Sequence, residues 1–448
     1  KDSTGSMYYD KYPLEASAEY YKPYVQQFDA LFKKQLHLDV KPDEKMNELK
    51  NVYDPSERNF KDVKYLWDRA YYDGKYFSYF GIAPIIVLYI PFYIFTGLLP
   101  SDIFVTTFFA LIAILFIFLS LYEICKTFLK STNLLLFILV SVGVVFASLI
   151  YTVQSSADMY YIPVESGIAF MSVFIYLSFK AYNLKRGPLR ILLFVLAGLS
   201  IGMLSLSRPN MLIVAGCFVL PIFLSVLIDN RIEKSSKLID ALSFLIPAAL
   251  CGIGTAYYNY VRFGSIFEFG ATYQLTVSDI SYNNFRIENI LPALYYYFIQ
   301  WPGCSGHAPF LIVENVYKPI SGNYFYSAVN IGLLSIPLNW SIAAIGPTLS
   351  RKEFIKSATY ISILMSTVFI AILNFCLAGI CIRYVCDISL PFAILSGLII
   401  LDANRNAFES GDRNGKIIYN ISILLIILTI FICTVLIFIN ERCKITIF

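Results

Sequence analysis

Runs of about 20 apolar residues recur along this chain, the length that a helix needs to cross the hydrocarbon core of a bilayer. They fall near 77–98, 103–123, 133–153, 159–180, 190–206, 210–228, 239–260, 327–348, 357–377, 381–401 and 417–439. Within each run the apolar residues are continuous rather than alternating, which predicts helices and not the strands of a barrel. Two polar stretches, 1–76 and 262–325, interrupt the pattern. The pattern therefore predicts an all-α polytopic membrane protein with about 10–11 transmembrane helices. Four segments follow. A first external loop with juxtamembrane or re-entrant helices covers 1–102, and a helix bundle covers 103–260. A second external loop covers 261–326, and C-terminal transmembrane helices cover 327–448.

Composition narrows the function. The 448 residues are 57% hydrophobic and 15% charged, with a mean hydropathy of +0.64. A soluble domain carries roughly 25% charged residues, so a soluble enzyme and a disordered chain are both excluded. The net charge of +4 is small and dispersed, which excludes a nucleic-acid binder. Nine Cys are scattered, mostly inside apolar runs (Cys217, Cys251, Cys376, Cys433), and read as small core residues. The chain begins at Lys1 with neither Met nor a signal peptide, and a first span is expected to be missing upstream. No Rossmann or Walker fingerprint is present, so no nucleotide-sugar domain is encoded.

Basic residues orient the spans. Lys126 and Lys130, then Lys180, Lys185, Arg186 and Arg190, then Arg231, Lys234 and Lys237, lie in short loops. Arg351, Lys352 and Lys356, and the loop 402–416, complete five basic loops. Counted from 103 onward all five share one side, the cytoplasmic one by the positive-inside rule. The stretch 262–325 and the links 154–158 and 207–209 then lie outside. The run 77–98 breaks the count, because a full crossing there would put 1–76 in the cytoplasm. Gly81, Pro84 and Pro91 interrupt it, and proline breaks or kinks a helix. A broken helix in the outer leaflet, with 1–76 external, is the expectation. An ordinary span with a cytoplasmic N-terminal domain is the competing reading. The sequons at Asn339 and Asn420 both fall inside spans, and the composition is rich in Ile, Phe and Asn. Both point to a bacterial plasma membrane, with a multi-pass chain and its site facing outside.

On this map the external face collects the chemistry. The first loop holds Glu19, Asp29, Asp39, Asp68, Asp73 and Lys75, and the second Arg262, Glu268, Asp279, Arg286, Glu288 and His307. Outer helix ends add Asp158 with Glu165, Arg208, and the pair Arg383 and Asp387. Charges at such depth are expensive and, when they do not snorkel, line cavities. Sugar transfer from a phosphate donor requires a carboxylate to take the acceptor's proton and cations to stabilise the departing phosphate. Plainer readings stand beside this one. Glu19 and Asp29 read also as solvated carboxylates, and Asp68 and Asp73 as turn and surface residues. Lys75 reads as snorkelling, and Arg208 and Arg262 as neutralising helix ends or lipid phosphate. Arg383 and Asp387, spaced i,i+4, read as paired with each other. His307 has no companion at ligand spacing, and no metal site is predicted. Tyr295, Tyr296, Tyr297 and Trp301 read as an interfacial belt.

The run Tyr72-Asp73-Gly74-Lys75-Tyr76-Phe77, continuing to Phe80-Gly81-Ile82-Ala83-Pro84, resembles the GKYY…FG…P stretch of bacterial membrane glycosyltransferases of the GT-C superfamily. Upstream FDALFKKQLHLD, YDP and LWD, then SRPN at 207–210, YNYVRFGSIFEFGATYQLT at 258–276 and RYVCD at 383–387, follow in the expected order over most of the chain. The set is distantly similar to protein mannosyltransferases and lipid A aminoarabinose transferases. The resemblance implies a polyprenyl-phosphate-linked sugar donor, an inverting transfer on the external face, and a catalytic acid in the first external loop. Asp29, within the DAL motif, and Glu19, at the position of the distant relatives' acid, compete for that role. Lys75 and Arg383 match basic positions of the relatives, and Asp158 matches an acid at the outer start of an early span.

The candidate set is then Asp29 and Glu19 as base, Lys75, Arg208, Arg262 and Arg383 on the donor phosphate, and Asp158 and Asp387 as further cavity acids. The carboxylates would suit Mg²⁺ or Mn²⁺, although no spacing demands a divalent cation. The expected partners are the lipid-linked donor, a glycan, lipid or protein acceptor, and the bilayer, with no nucleic acid. Two other readings compete. A polysaccharide polymerase or ligase would rely on late-loop Arg and His, and a lipid-linked-sugar transporter on internal symmetry or paired discontinuous helices.

Overall fold

A computed structural model describes residues 8–9, 22–129, 132–155, 157–276, 279–282, 285–304, 306, 311–312, 326–327, 331–410 and 413–445. The protein is an all-α polytopic membrane protein. Among the described residues, eight helices are long and apolar enough to cross a membrane. They begin where the chain offers caps or prolines. Ser101 accepts from the Phe104 N–H at the start of Asp102–Phe128, and Pro163, Pro188 and Pro209 open Ile162–Asn183, Pro188–Ser207 and Pro209–Ile228. The others are Lys234–Phe263, Phe354–Ala378, Ile382–Ser410 and Arg413–Ile445.

In chain order we name α1 Pro23–Phe32, α2 Pro55–Phe60, α3 Ile85–Thr96, α4 Asp102–Phe128, α5 Leu134–Ala147, α6 Ile150–Gln154 and α7 Ile162–Asn183. Then follow α8 Pro188–Ser207, α9 Pro209–Ile228, α10 Lys234–Phe263, α11 Ile290–Leu294, α12 Ile345–Thr348, α13 Phe354–Ala378, α14 Ile382–Ser410 and α15 Arg413–Ile445. Helix α14 is the centre of the bundle, with 94% of its span buried, and α10 lies at the periphery with 22%. On α8, Gly198 and Gly202 let α10 approach. A Cβ on Gly198 would stand 2.3 Å from the Phe244 carbonyl, and one on Gly202 2.4 Å from Cys251.

Three apolar runs take forms that hydropathy alone does not distinguish. The run 77–98 yields only α3, which opens as a π turn, carries Pro91 and stops at Gly97 with φ 71. At 1.5 Å per residue it is roughly 18 Å long, short of a hydrocarbon core of about 30 Å. The run 133–153 divides into α5 and α6 at Leu149, whose φ is 64. Residues 331–348 wind as 3₁₀ turns, Leu333–Ser335 and Pro337–Ala344, before α12. Ile336 separates the two turns in extended backbone, and at a rise of about 2 Å per residue the longer one, Pro337–Ala344, covers roughly 16 Å. Its neighbours supply the polar partners that lipid cannot. Thr429 Oγ1 accepts from the Leu338 N–H at 2.7 Å, and Ser341 Oγ donates to the Ser396 carbonyl at 2.9 Å.

The two ends of the bundle differ. The helix ends that carry the basic loops are tied by Lys180 to Glu123 at 2.7 Å, Arg190 to Asp240 at 2.8 Å and Lys356 to Asp402 at 2.7 Å. At the opposite end the polar loops pack on each other. Strands β1 Ala70–Tyr72 and β2 Lys75–Phe77 form a hairpin through Asp73 and Gly74, both left-handed (φ 48 and 71) as a tight two-residue turn requires. Onto this hairpin folds the stretch after α10. The Tyr71 N–H donates to the Tyr273 carbonyl at 2.9 Å, the Leu275 N–H to the Arg69 carbonyl at 2.9 Å and the Asp68 N–H to the Leu275 carbonyl at 3.0 Å. Arg58, fully buried, donates to the Thr276 carbonyl at 2.6 Å. The second stretch is not polar throughout. Residues 287–299 expose Ile287, Leu291, Tyr295 and Ile299 on one side, and bury Ala293 and Tyr297 on the other. Apolar positions four apart are too few there to register as a span.

Candidate functional site

Arg208 is the single residue between α8 and α9, with φ −148 and ψ 84, kept out of the helical region by the proline that follows it. Its guanidinium reaches α14, where Nε donates to Asp387 Oδ1 at 2.7 Å and an Nη to Oδ2 at 3.3 Å. Asp387 is fully buried, and its Oδ2 also accepts from Asn374 Nδ2 on α13 at 2.9 Å. Asn374 in turn accepts from Asn210 Nδ2 at 2.9 Å. The i,i+4 pairing of Arg383 with Asp387 expected from spacing does not hold, because Arg208 occupies both oxygens of the carboxylate.

Arg383, one turn earlier on α14, is half-buried among aromatic rings. Its guanidinium carbon lies 4.4 Å from the Tyr160 ring centroid and 5.6 Å from that of Tyr384, and Arg208 lies 5.7 Å from the same Tyr384 ring. Tyr160 belongs to the link before α7. Asp158 shapes that link by accepting the Tyr160 N–H at 2.9 Å. The Tyr160 hydroxyl donates to Asp68 of the first loop. Burial, and after it the Asp68 charge, pushes that hydroxyl well above the usual phenol range.

Asp68 is buried and left-handed, with φ 54, an unusual state for a residue other than glycine. Its Oδ1 accepts from Gln274 Nε2 at 2.7 Å, and the same amide donates to the Tyr79 hydroxyl at 3.0 Å. Next to it Arg69, also buried, donates to Gln26 Oε1 of α1 at 2.9 Å. Burial lowers the Arg69 guanidinium to about 10 against the pull of Tyr79 and Asp68, so it stays cationic at neutral pH. The first loop, the second loop, the α6–α7 link, α14 and α9 thus meet in one polar string, from Gln26 to Asn210.

The remaining described candidates, Asp29, Lys75 and Arg262, sit apart from this string. Asp29 is buried on α1 and paired with Lys33 at 2.9 Å, which also holds Asp39 at 2.7 Å. Glu19 and His307 lie outside the described residues. Lys75 is exposed at the tip of the hairpin, where its charge acts on His37. Arg262, at the end of α10, donates to the Ser78 carbonyl at 2.7 Å and to Asn259 at 2.9 Å, and lies 3.7 Å from the Tyr258 ring centroid. It joins α10 to the chain entering α3. Among the described residues no three His, Cys, Asp or Glu side chains converge as a metal set. Glu165, fully buried in the first turn of α7, has no hydrogen-bond partner on either oxygen among the described residues.

Sequence reasoning read Asp68 as a turn or surface residue and Tyr160 as part of an interfacial belt, and did not single out Arg69 or Gln274. The signal for Asp68 was its place in the LWD motif, and for Tyr160 its place beside Asp158. Chemically, two guanidinium groups in a poorly solvated setting, one answered by a carboxylate and one resting on ring faces, suit an anion with several oxygens.

No protein-family model matches the chain, and no curated protein matches it. Two solved structures superpose on it. One is the archaeal oligosaccharyltransferase AglB from Archaeoglobus fulgidus in complex with an inhibitory peptide and a dolichol-phosphate, at 13% identity and a TM-score of 0.47, covering 86% of this chain and 50% of that one. The other is the Archaeoglobus fulgidus oligosaccharyltransferase in the apo form, at 13% identity and a TM-score of 0.46, covering 95% of this chain and 56% of that one. The chain spans about half the length of the solved structures it matches.

Proposed function

We propose that the protein is an integral-membrane glycosyltransferase of the GT-C type. It moves a sugar from a polyprenyl-phosphate donor to a glycolipid, polysaccharide or protein acceptor on the external face of a bacterial plasma membrane. The observation that carries this reading is the approach of Arg208 and Arg383 to one aromatic ring, at the end of the bundle away from the basic loops and beside the first loop. In the reaction an acceptor hydroxyl attacks the anomeric carbon while the bond from that carbon to the phosphate oxygen breaks. A first-loop carboxylate, Asp29 or Glu19, takes the hydroxyl proton, and polyprenyl phosphate leaves. Arg208 and Arg383 hold the phosphate as its charge grows, with Lys75 as a further cation at the hairpin tip. Arg262 keeps the loops in place, and Asp158 and Asp387 set the Tyr160 link and Arg208.

The test is transfer of label from a set of polyprenyl-phosphate sugars into lipid, polysaccharide and protein fractions, with and without a chelator. Wild type is run beside Asp29→Asn, Glu19→Gln and Lys75→Ala. Loss in one acid variant and retention in the other identifies the base. No donor consumed by folded, inserted wild-type protein overturns the reading.

A further inference from the structure

We infer that Asp68 is a positioning residue, which sets the Arg383 guanidinium by way of Tyr160. This rests on the reading of Arg383 as a phosphate ligand and adds a residue to it. Three observations converge on Asp68. Its backbone is left-handed (φ 54) in a residue that has a Cβ, and such strain persists only where the surroundings impose it. The surroundings do so, since its N–H is tied to the Leu275 carbonyl at 3.0 Å and its Oδ1 to Gln274 at 2.7 Å. Its second oxygen accepts the Tyr160 hydroxyl, and on the Tyr160 ring face lies Arg383, 4.4 Å from the centroid.

A stacked guanidinium takes its orientation from the ring beneath it, and that ring is held by two carboxylates of different segments. Asp158 fixes the Tyr160 backbone at 2.9 Å, and Asp68 fixes the far end of the side chain. With the hydroxyl released, the ring keeps its edge contact with Phe80 but loses the tie at its far end, and Arg383, still beside Tyr384, loses one of the contacts that set its direction. Because Asp68 is itself clamped between the first and second loops, the direction of Arg383 depends on both loops being docked.

The experiment measures binding of decaprenyl monophosphate to the full chain in lipid nanodiscs, for wild type, Asp68→Asn, Tyr160→Phe and Arg383→Lys. The two double variants that pair Arg383→Lys with each of the others are measured as well. Arg383→Lys keeps the charge and loses the stacked planar fork. Asp68→Asn and Tyr160→Phe are each expected to weaken binding about tenfold, the scale of one hydrogen bond to a charged group. In the Arg383→Lys background neither change is expected to cost more, because the group they orient is gone. Melting curves establish that each variant is folded, and Tyr160→Phe decides if Asp68→Asn is not. Wild-type affinity in folded Tyr160→Phe, or losses that add in full to that of Arg383→Lys, overturns the positioning role. Failure of wild type to bind the phosphate at all overturns the transferase reading instead.

Discussion

Arg208 and Asp387, 179 residues apart, meet in a two-point ion pair that joins the α8–α9 link to the start of α14, the central helix of the bundle. Asp387 is fully buried and the Arg208 side chain is 18% exposed, so the pair is closed on one side and open on the other. A buried charge that loses its partner is strongly destabilising, whereas exchanging both for apolar residues is often tolerated. Asp387→Asn is therefore predicted to cost about 3 kcal/mol in stability, measured by denaturant unfolding in detergent. The double variant Arg208→Met with Asp387→Leu is predicted to be more stable than Asp387→Asn and, lacking the Arg208 cation, to bind a lipid phosphate more weakly than wild type. A double variant less stable than the single one contradicts this account of the pair.

The Lys356–Asp402 pair provides the contrast at the other end of the bundle. Lys356 also meets Glu353, and Arg405 holds Asp402 at 3.0 Å. Asp402→Asn is predicted to lower stability on a similar scale, about 3 kcal/mol, and to leave lipid-phosphate affinity unchanged in the fraction that remains folded. A parallel loss of affinity would show that the two ends are coupled.

Gly81 is where the chain after the hairpin presses on the end of α8, next to Arg208. A Cβ there would stand 2.4 Å from the carbonyl oxygens of both Leu206 and Ser207, contacts that backbone cannot relieve by rotating a side chain. Gly81→Ala is predicted to cost about 1–3 kcal/mol, as overpacking does, and to displace Arg208 enough to weaken lipid-phosphate binding. Gly216→Ala, where the added methyl meets nothing within 4 Å, is predicted to be neutral in both readouts. Equal behaviour of the two alanine variants would refute the close approach.

His37 reports on the hairpin tip. Burial, and after it the Lys75 charge, lowers its imidazole below the usual 6.5, while Asp39 pulls the other way. The unfolded chain thus binds that proton more readily, and this contribution to stability is lost as pH falls through 6.5 toward the lower folded value. Lys75→Met removes the charge and leaves the burial, so His37 is predicted to titrate nearer to 6.5 but still below it, followed by NMR of the imidazole. An unchanged titration would place the Lys75 charge away from His37.

The apolar runs were legible because a bilayer leaves few options for twenty continuous apolar residues, and the Asp73-Gly74 turn because few residue pairs suit two left-handed positions. Pro84 and Pro91 in turn stand before and inside α3, which is only Ile85–Thr96. The 3₁₀ form of 331–348 was not legible, since hydropathy registers apolar character and not the helix type that Pro337 and Pro347 leave available. Nor was the environment of Asp68. On its own segment it reads as a loop carboxylate, and its burial comes from Gln274 and Leu275, some two hundred residues later. For Arg383 and Asp387, the i,i+4 rule describes an isolated helix surface and was overridden by Arg208 arriving from another helix.

The central claim is that Arg208 and Arg383 together receive the phosphate of a lipid-linked sugar. It is tested most directly by the initial rate of sugar transfer from a labelled polyprenyl-phosphate hexose to acceptors of the lipid, polysaccharide and protein fractions supplied to proteoliposomes, for wild type, Arg208→Met and Arg383→Met. Transfer by wild type and a fall of about a hundredfold or more in each variant are expected, the scale on which preorganised charge contributes to a transition state. Transfer at the wild-type rate by either folded variant would contradict a shared phosphate site at Arg208 and Arg383.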